Sequence, residues 1–255
     1  MIMSTQTSAA LTVDGLSVEY GSSIRAHKAV RVVHDVSFSI QAGETLALVG
    51  ESGSGKSTIG KAILGLARCA TGTVMLGERD ITSVPLRQRR SFASELQVIF
   101  QDPYGSLNPS LRIGDILTEP LRVNQKLRPE AAKSVIAALL AQVGLPADAA
   151  RRYPSHFSGG QRQRIAIARA ISVQPKVSIC DEPTSALDVS TQAQVMDLLS
   201  DLQQRMSVSY LFITHDLALV RGFGIHHFIG DALDDFRGQY LRIDRACHAV
   251  YLDID

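Results

Sequence analysis

Residues 50–57 read Gly-Glu-Ser-Gly-Ser-Gly-Lys-Ser, a glycine-rich turn closed by a lysine and a hydroxyl. Gly50, Gly53 and Gly55 let the backbone curl so that successive N–H groups point inward as a nest for an anion. Lys56 can reach the β- and γ-phosphates of a nucleoside triphosphate, and the Ser57 hydroxyl can ligate Mg²⁺. Ser52, Ser54 and Thr58 belong to the same phosphate-binding group. The competing reading is a glycine-rich turn that holds no ligand. The setting argues against it, because the loop follows an apolar run at 45–49 and precedes helical spacing at Ile59, Ile63, Leu64 and Leu66.

Further stretches could complete such a site. Val177-Ser178-Ile179-Cys180-Asp181-Glu182 is an apolar strand ending in two acids. Asp181 can hold the metal through water, and Glu182 can polarise a water that attacks the γ-phosphate. Acids commonly end strands, so this pair gains meaning only beside the loop. Ser178 sits where a buried strand prefers an apolar side chain. Ser158-Gly159-Gly160 opens an apolar-periodic run, which makes a second helix start with bare amides and a second place to hold phosphate. The chain has no N-K-x-D sequence, which favours ATP over GTP. Tyr20 follows a strand and could stack on adenine, an interaction of about 1–3 kcal/mol per base; the alternative is a strand-end tyrosine on the core rim. His215, considered alone, reads as a satisfied strand-end histidine. The run Arg87, Arg89 and Arg90 reads as a solvated face, and Arg162 and Arg164 read as surface residues of a helix.

The elements around these residues alternate in type, as in an α/β domain. Residues 11–20 and 31–40 alternate apolar with polar, as half-buried strands do. Residues 45–49 form a central buried strand, 72–81 a hairpin, and 96–100, 177–180 and 210–214 further strands. Pro129-Glu130 opens a helix with the face Val135, Ile136, Leu139, Leu140 and Val143, and Gly144 stops it. Between Asp102 and that helix there is little strand character.

The loop GESGSGKST, the segment FSGGQRQR, the strand VSICDEP followed by TSALD, and ITHD at 213–216 resemble ATP-binding-cassette (ABC) ATPases in order and spacing. QDPYGSLNP at 101–109 and DEPTSALDVSTQAQ at 181–194 resemble the oligopeptide, dipeptide and nickel importers of that family. The resemblance implies an α/β fold: a P-loop NTPase (RecA-like) core at about 10–101 and 161–224, with an N-terminal antiparallel β subdomain. It also implies a helical insert at about 102–160 carrying the signature segment. It implies ATP and Mg²⁺ as ligands, with Ser57, Gln101 and Asp181 around the metal. Lys56, Gln101, Glu182 and His215 would serve catalysis, His215 by holding the γ-phosphate and catalytic water. It answers why there are two phosphate devices: ATPase domains of this kind pair head to tail. Ser158, Gly159, Gly160 and Gln161 would then serve a nucleotide on an identical or closely related second subunit, which Asp188 would also contact. ATP then glues the dimer and hydrolysis releases it. The further partners implied are transmembrane permease subunits and, indirectly, a solute-binding protein, with the chain peripheral at the cytoplasmic face of the inner membrane. The rival readings are an ATP-binding but turnover-defective subunit and a non-transport ABC ATPase.

The bulk properties agree. The chain has 255 residues, 45% of them hydrophobic, and a formal net charge of +1. So even a balance gives no support to nucleic acid as partner. Cys69, Cys180 and Cys247 show no metal-ligand spacing and suit a reducing cytosol. No run approaches the roughly 18 apolar residues of a spanning helix, and the N-terminus lacks a signal-peptide pattern, so membrane work is expected to go through a partner. After Gly224 the likeness stops. The atypical tail at 225–255 reads as a truncated or altered end, with an uncovered sheet edge and lowered stability as the expected result.

Overall fold

The computed structural model describes residues 9–21, 29–125, 129–222 and 228–229. The tail at 225–255, apart from Phe228–Ile229, therefore lies outside the described residues. The chain divides into two packed units, Met1–Ser91 with Ser207–Asp255, and Phe92–Met206. Strands and helices are numbered below along the whole chain.

The first unit begins with β1 (Leu11–Tyr20) and β2 (Val30–Ile40), followed by β3 (Thr45–Val49), α1 (Lys56–Ile63), β4 (Cys69–Leu76) and β5 (Arg79–Asp80). β2, β1, β4 and β5 form an antiparallel sheet in that order. Leu11 pairs with Ile40 on one side and Leu76 on the other, and Val13 pairs with Phe38 and Val74. All six are buried, so the alternation in the sequence becomes one core-facing sheet surface. Gly77, at φ 58°, turns the β4–β5 hairpin.

β3 runs parallel to β8 (Ser209–Thr214), with Thr45 opposite Tyr210 and Val49 opposite Thr214. Every residue of both strands is buried, which is why they read as unbroken runs rather than alternations. Each fully buried Leu, Ile or Phe here contributes about 1.5–3 kcal/mol. The outer side of β3 is met by β9 (Phe228–Ile229), paired at Ala47 and Leu48. The expected bare edge is corrected at those two positions. α6 (Leu217–Gly222) follows β8.

Arg89 corrects the expectation of a solvated basic face. It is buried, and its Nε, Nη1 and Nη2 donate to the carbonyls of Val84, Ile63 and Ile81 at 3.0, 2.7 and 2.5 Å. Gly65 makes the space, since a Cβ there would lie 2.2 Å from Arg89 Nε. Burial lowers the guanidinium pKa from its ordinary value.

The second unit contains β6 (Leu96–Ile99), α2 (Ile113–Gln125), α3 (Pro129–Gln142), α4 (Gly159–Ile171), β7 (Val177–Asp181) and α5 (Val189–Met206). β6 and β7 are parallel, with Ile99 opposite Cys180. Ser178 is fully buried on β7, two residues from Cys180, whose thiol pKa burial pushes up. α3 ends where Gly144 takes φ 70° and its N–H donates to Ala141. α2 falls within the helical insert expected at about 102–160, but the sequence pattern gives neither it nor α5 as a helix of its own. Pro120 lies inside α2, yet Ile113, Ile116, Leu117 and Leu121 form a buried stripe that holds the helix.

Candidate functional site

In the first unit the glycine-rich loop joins β3 to α1. Gly53 and Gly55 take φ 95° and 94°, a left-handed conformation that strains any residue with a Cβ. Gly55 is constrained a second way: a Cβ there would sit 3.0 Å from Val32 O and 3.3 Å from Val33 Cγ2. Gly55 is the N-cap of α1, so no side chain occupies the helix start, and no acid lies in the first turn. The amides and dipole there suit an anion. Lys56 is buried, and its Nζ donates to Gly50 O (2.7 Å), Glu51 O (2.5 Å) and Ser54 Oγ (3.1 Å). The ammonium is thus held in by the loop it closes. Ser57 and Thr58 are half-buried and Ser52 is exposed.

His215 belongs to the same end of this unit. Val49 lies opposite Thr214, so the loop and His215 leave adjacent parallel strands at the same level. His215 is exposed. The turn after it is fixed by Thr214 Oγ1, which accepts from Asp216 N at 3.0 Å. Tyr20 ends β1 and is 44% exposed, so its ring has an open surface. β1 and β2 connect it to the loop: Tyr20 pairs with Val30, and Val18 with Val33, the residue against Gly55.

In the second unit the register of β6 and β7 brings the next residues together. With Ile99 opposite Cys180, Gln101 and the pair Asp181–Glu182 emerge from neighbouring strand ends. Asp181 and Glu182 are half-buried and Gln101 is exposed. Glu182 takes φ 47°, unusual for a residue with a side chain and costing on the order of 1–3 kcal/mol. Its carbonyl accepts from Ser185 N and Oγ at 3.3 and 3.2 Å, which holds the turn that carries it.

The signature segment starts α4. Ser158 is the N-cap, its Oγ accepting from Gln161 N at 3.4 Å while Gln161 Oε1 accepts from Ser158 N at 3.1 Å. Asp188 precedes α5, and its two carboxylate oxygens accept from Thr191 N (3.0 Å) and Thr191 Oγ1 (2.7 Å). Those bonds hold the Asp188 pKa below the usual carboxylate range. Thr191 in turn touches the signature: a Cβ on Gly160 would lie 2.2 Å from its Cγ2, and one on Gly159 would lie 3.5 Å from Leu187 Cδ2. Ser158–Gln161 and Asp188 are therefore packed as one assembly. Gly160→Ala forces Thr191 off its Asp188 bonds and is expected to destabilise by about 1–3 kcal/mol. Chemical denaturation checks this, and an unchanged midpoint would show that the contact relaxes without cost.

Arg162 and Arg164 are corrected from surface residues to ties. Arg162 Nε donates to Phe157 O at 3.0 Å and its guanidinium lies 4.2 Å from the Tyr104 ring centroid. Arg164 reaches Val143 O at 3.3 Å and Gln194 Oε1 at 2.8 Å. The signal available in the sequence was their position on the helix directly after Ser158.

The residues present fit a phosphate-bearing ligand, given the uncapped start of α1 and the inward lysine. Among the described residues no group of three or more His, Cys, Asp or Glu is placed to hold a metal. Ser57, Gln101 and Asp181 are hard oxygen donors of the kind Mg²⁺ takes, and that ion is commonly completed by substrate phosphates and water. Among the described residues no helix is long and apolar enough to cross a membrane.

Comparison with known proteins adds independent findings. The family model described as ABC transporter matches residues 33–185. The chain is 46% identical over 215 residues to the di/tripeptide transport ATP-binding protein DppF of Pseudomonas aeruginosa (strain UCBPP-PA14), covering 84% of this chain and 65% of that protein. It is 46% identical over 209 residues to the oligopeptide transport ATP-binding protein OppF of Haemophilus influenzae, covering 80% of this chain and 63% of that one. It is 49% identical over 223 residues to the glutathione import ATP-binding protein GsiA of Shigella flexneri, covering 88% of this chain and 35% of that one. The chain thus spans less than two thirds of the length of these relatives. Among solved structures it resembles the ATP-binding cassette MJ0796 in a dimeric post-hydrolysis state bound to ADP and Pi. The TM-score is 0.73 at 26% identity, covering 83% of this chain and 90% of that one. It also resembles cbiO1 from Clostridium perfringens, part of the ABC transporter complex cbiONQ, with TM-score 0.70 at 26% identity, covering 85% and 82%.

Proposed function

The chain belongs to the ABC transporter family, and from that premise we propose that it binds and hydrolyses ATP to drive uptake of peptides or a similar small solute. The observation that carries the reading is the turned-in Lys56 on a helix whose start is left bare by Gly55. The likeness to DppF, OppF and GsiA supports peptide import.

The loop amides and Lys56 hold the β- and γ-phosphates, and Tyr20 stacks on the adenine. Ser57, Asp181 and Gln101 would hold Mg²⁺, which when bound would neutralise phosphate charge. Glu182 takes a proton from water as the water oxygen attacks the γ-phosphorus in line. The bond from that phosphorus to the β-bridging oxygen breaks, and ADP and phosphate leave. His215 holds the γ-phosphate against the incoming water. Ser158, Gly159, Gly160, Gln161 and Asp188 act on a nucleotide held by a second ATPase subunit, identical or closely related. The remaining partners are transmembrane permease subunits and, through them, a solute-binding protein, with this chain at the cytoplasmic face of the membrane.

Phosphate release measured with and without co-expressed permease subunits tests the reading. Turnover that rises with the permease supports it. ATP binding without turnover in either case would make the chain a binding-only subunit, and turnover indifferent to every permease would place its work outside transport.

A further inference from the structure

Gln163 lies on α4 five residues after Ser158 and is fully buried. Its Nε2 donates to Phe100 O at 3.4 Å, while its Oε1 is buried with no hydrogen-bond partner among the described residues. A buried acceptor without a partner costs free energy, and an apolar side chain of the same length would avoid that cost. The donor to Phe100 is what such a residue would not supply.

Phe100 is the residue before Gln101. On the other side of Gln101 the chain is already folded: Asp102 Oδ1 accepts from Tyr104 N at 2.8 Å, and Asp102 O accepts from Ser106 N at 3.0 Å. The same helix grips this turn again. Arg162 packs on the Tyr104 ring, and Arg169 Nη1 donates to Ser106 O at 2.6 Å. α4 therefore holds the backbone on both flanks of Gln101, and Gln163 supplies the hold on the side nearer β6.

We propose that Gln163 is a positioning residue for Gln101. It anchors the backbone at Phe100 so that the Gln101 side chain stands beside Asp181 and Glu182, and it ties that placement to the helix that Ser158 begins. The inference rests on the proposed ATPase reading and adds a second role to the signature helix. Besides presenting Ser158 to a partner's nucleotide, α4 sets the geometry of a residue serving the chain's own nucleotide.

The experiment uses the full chain in complex with its permease. Q163M keeps the length of the side chain and removes both the donor and the orphaned acceptor. Its thermal midpoint is expected within about 2 °C of the parental value, because removing the orphaned acceptor offsets the loss of the donor to Phe100 O, and its affinity for a fluorescent ATP analogue within about twofold. Its kcat is expected to fall about tenfold, as when a positioned group is loosened. Amide hydrogen exchange in the peptide covering 98–104 should be faster than in the parent. Q163E supplies a second test. A protonated carboxyl can donate to Phe100 O and an ionised one cannot, so its turnover relative to the parent should rise as pH is lowered from 8 to 6. Parental kcat and exchange in Q163M would overturn the proposal. So would a midpoint and kcat that fall together, because Gln163 would then be core filling. An inactive parent would overturn the ATPase reading instead, and the exchange measurement would still decide whether Gln163 anchors Phe100.

Discussion

The Glu182→Gln variant is expected to bind ATP with parental affinity and to release phosphate about a hundred- to ten-thousandfold more slowly. The amide keeps the length of the side chain and its capacity to orient a water, and it loses the capacity to take the water's proton. The turn that carries position 182 is held through main-chain oxygen and Ser185, and those bonds do not involve the carboxylate. Because nucleotide still enters and is not consumed, the variant should accumulate as an ATP-dependent dimer. Size-exclusion chromatography with and without ATP reads this directly, beside a phosphate-release assay. A variant that hydrolyses at the parental rate would remove Glu182 from its role, and one that fails to bind ATP would mean the substitution had disturbed the fold.

The second large effect falls on stability. Arg89→Met fills a similar volume but leaves the carbonyls of Ile63, Val84 and Ile81 without their donors. The buried acceptors at Ile63 and Ile81 cost about 1–3 kcal/mol each when so deprived, and the part-buried one at Val84 less, which together implies a loss of about 3 kcal/mol or more. For a chain of this size that is a fall in thermal midpoint of roughly 6–12 °C. Arg89→Lys should fall between, because one ammonium cannot satisfy carbonyls that a planar guanidinium spans. Ile63 is the last residue of α1. Its carbonyl is one of those the helix end leaves orphaned, so Arg89 supplies both a bond and a favourable charge there. The residue thus pins the far end of the helix whose start would receive phosphate. A scanning-calorimetry midpoint within about 2 °C of the parent in Arg89→Met would show that water or a neighbouring group replaces those bonds.

Much of the first unit could be read from residue order. The alternations at 11–20 and 31–40 became strands because each had one dry face, and the run at 45–49 became a strand buried on both sides. The loop at 50–57 was legible because its chemistry needs glycines and a lysine at fixed spacing. Other features depended on partners remote in sequence. Arg89 looks like any surface arginine until Gly65 and the carbonyls around it are in place. α2 was hidden by Pro120, whose local preference is overruled by the buried stripe from Ile113 to Leu121. That Gln101 and Glu182 leave neighbouring strand ends is a matter of strand register, and register follows from which faces pack, not from any motif. The role of Arg162 required Tyr104 to be brought back onto α4 by the turn at Asp102.

Ser158 shows how a helix cap can sort ligands by charge. Its oxygen already accepts the Gln161 amide, which uses one of its two lone pairs, and its proton can still be offered outward. A group with electron pairs to share can take that proton, and the amides and dipole at the helix start favour an anion over a cation. An aspartate would cap the helix as well and would repel the very ion a serine invites. The amino acid at that position therefore chooses the visitor without altering the stability of the helix that holds it.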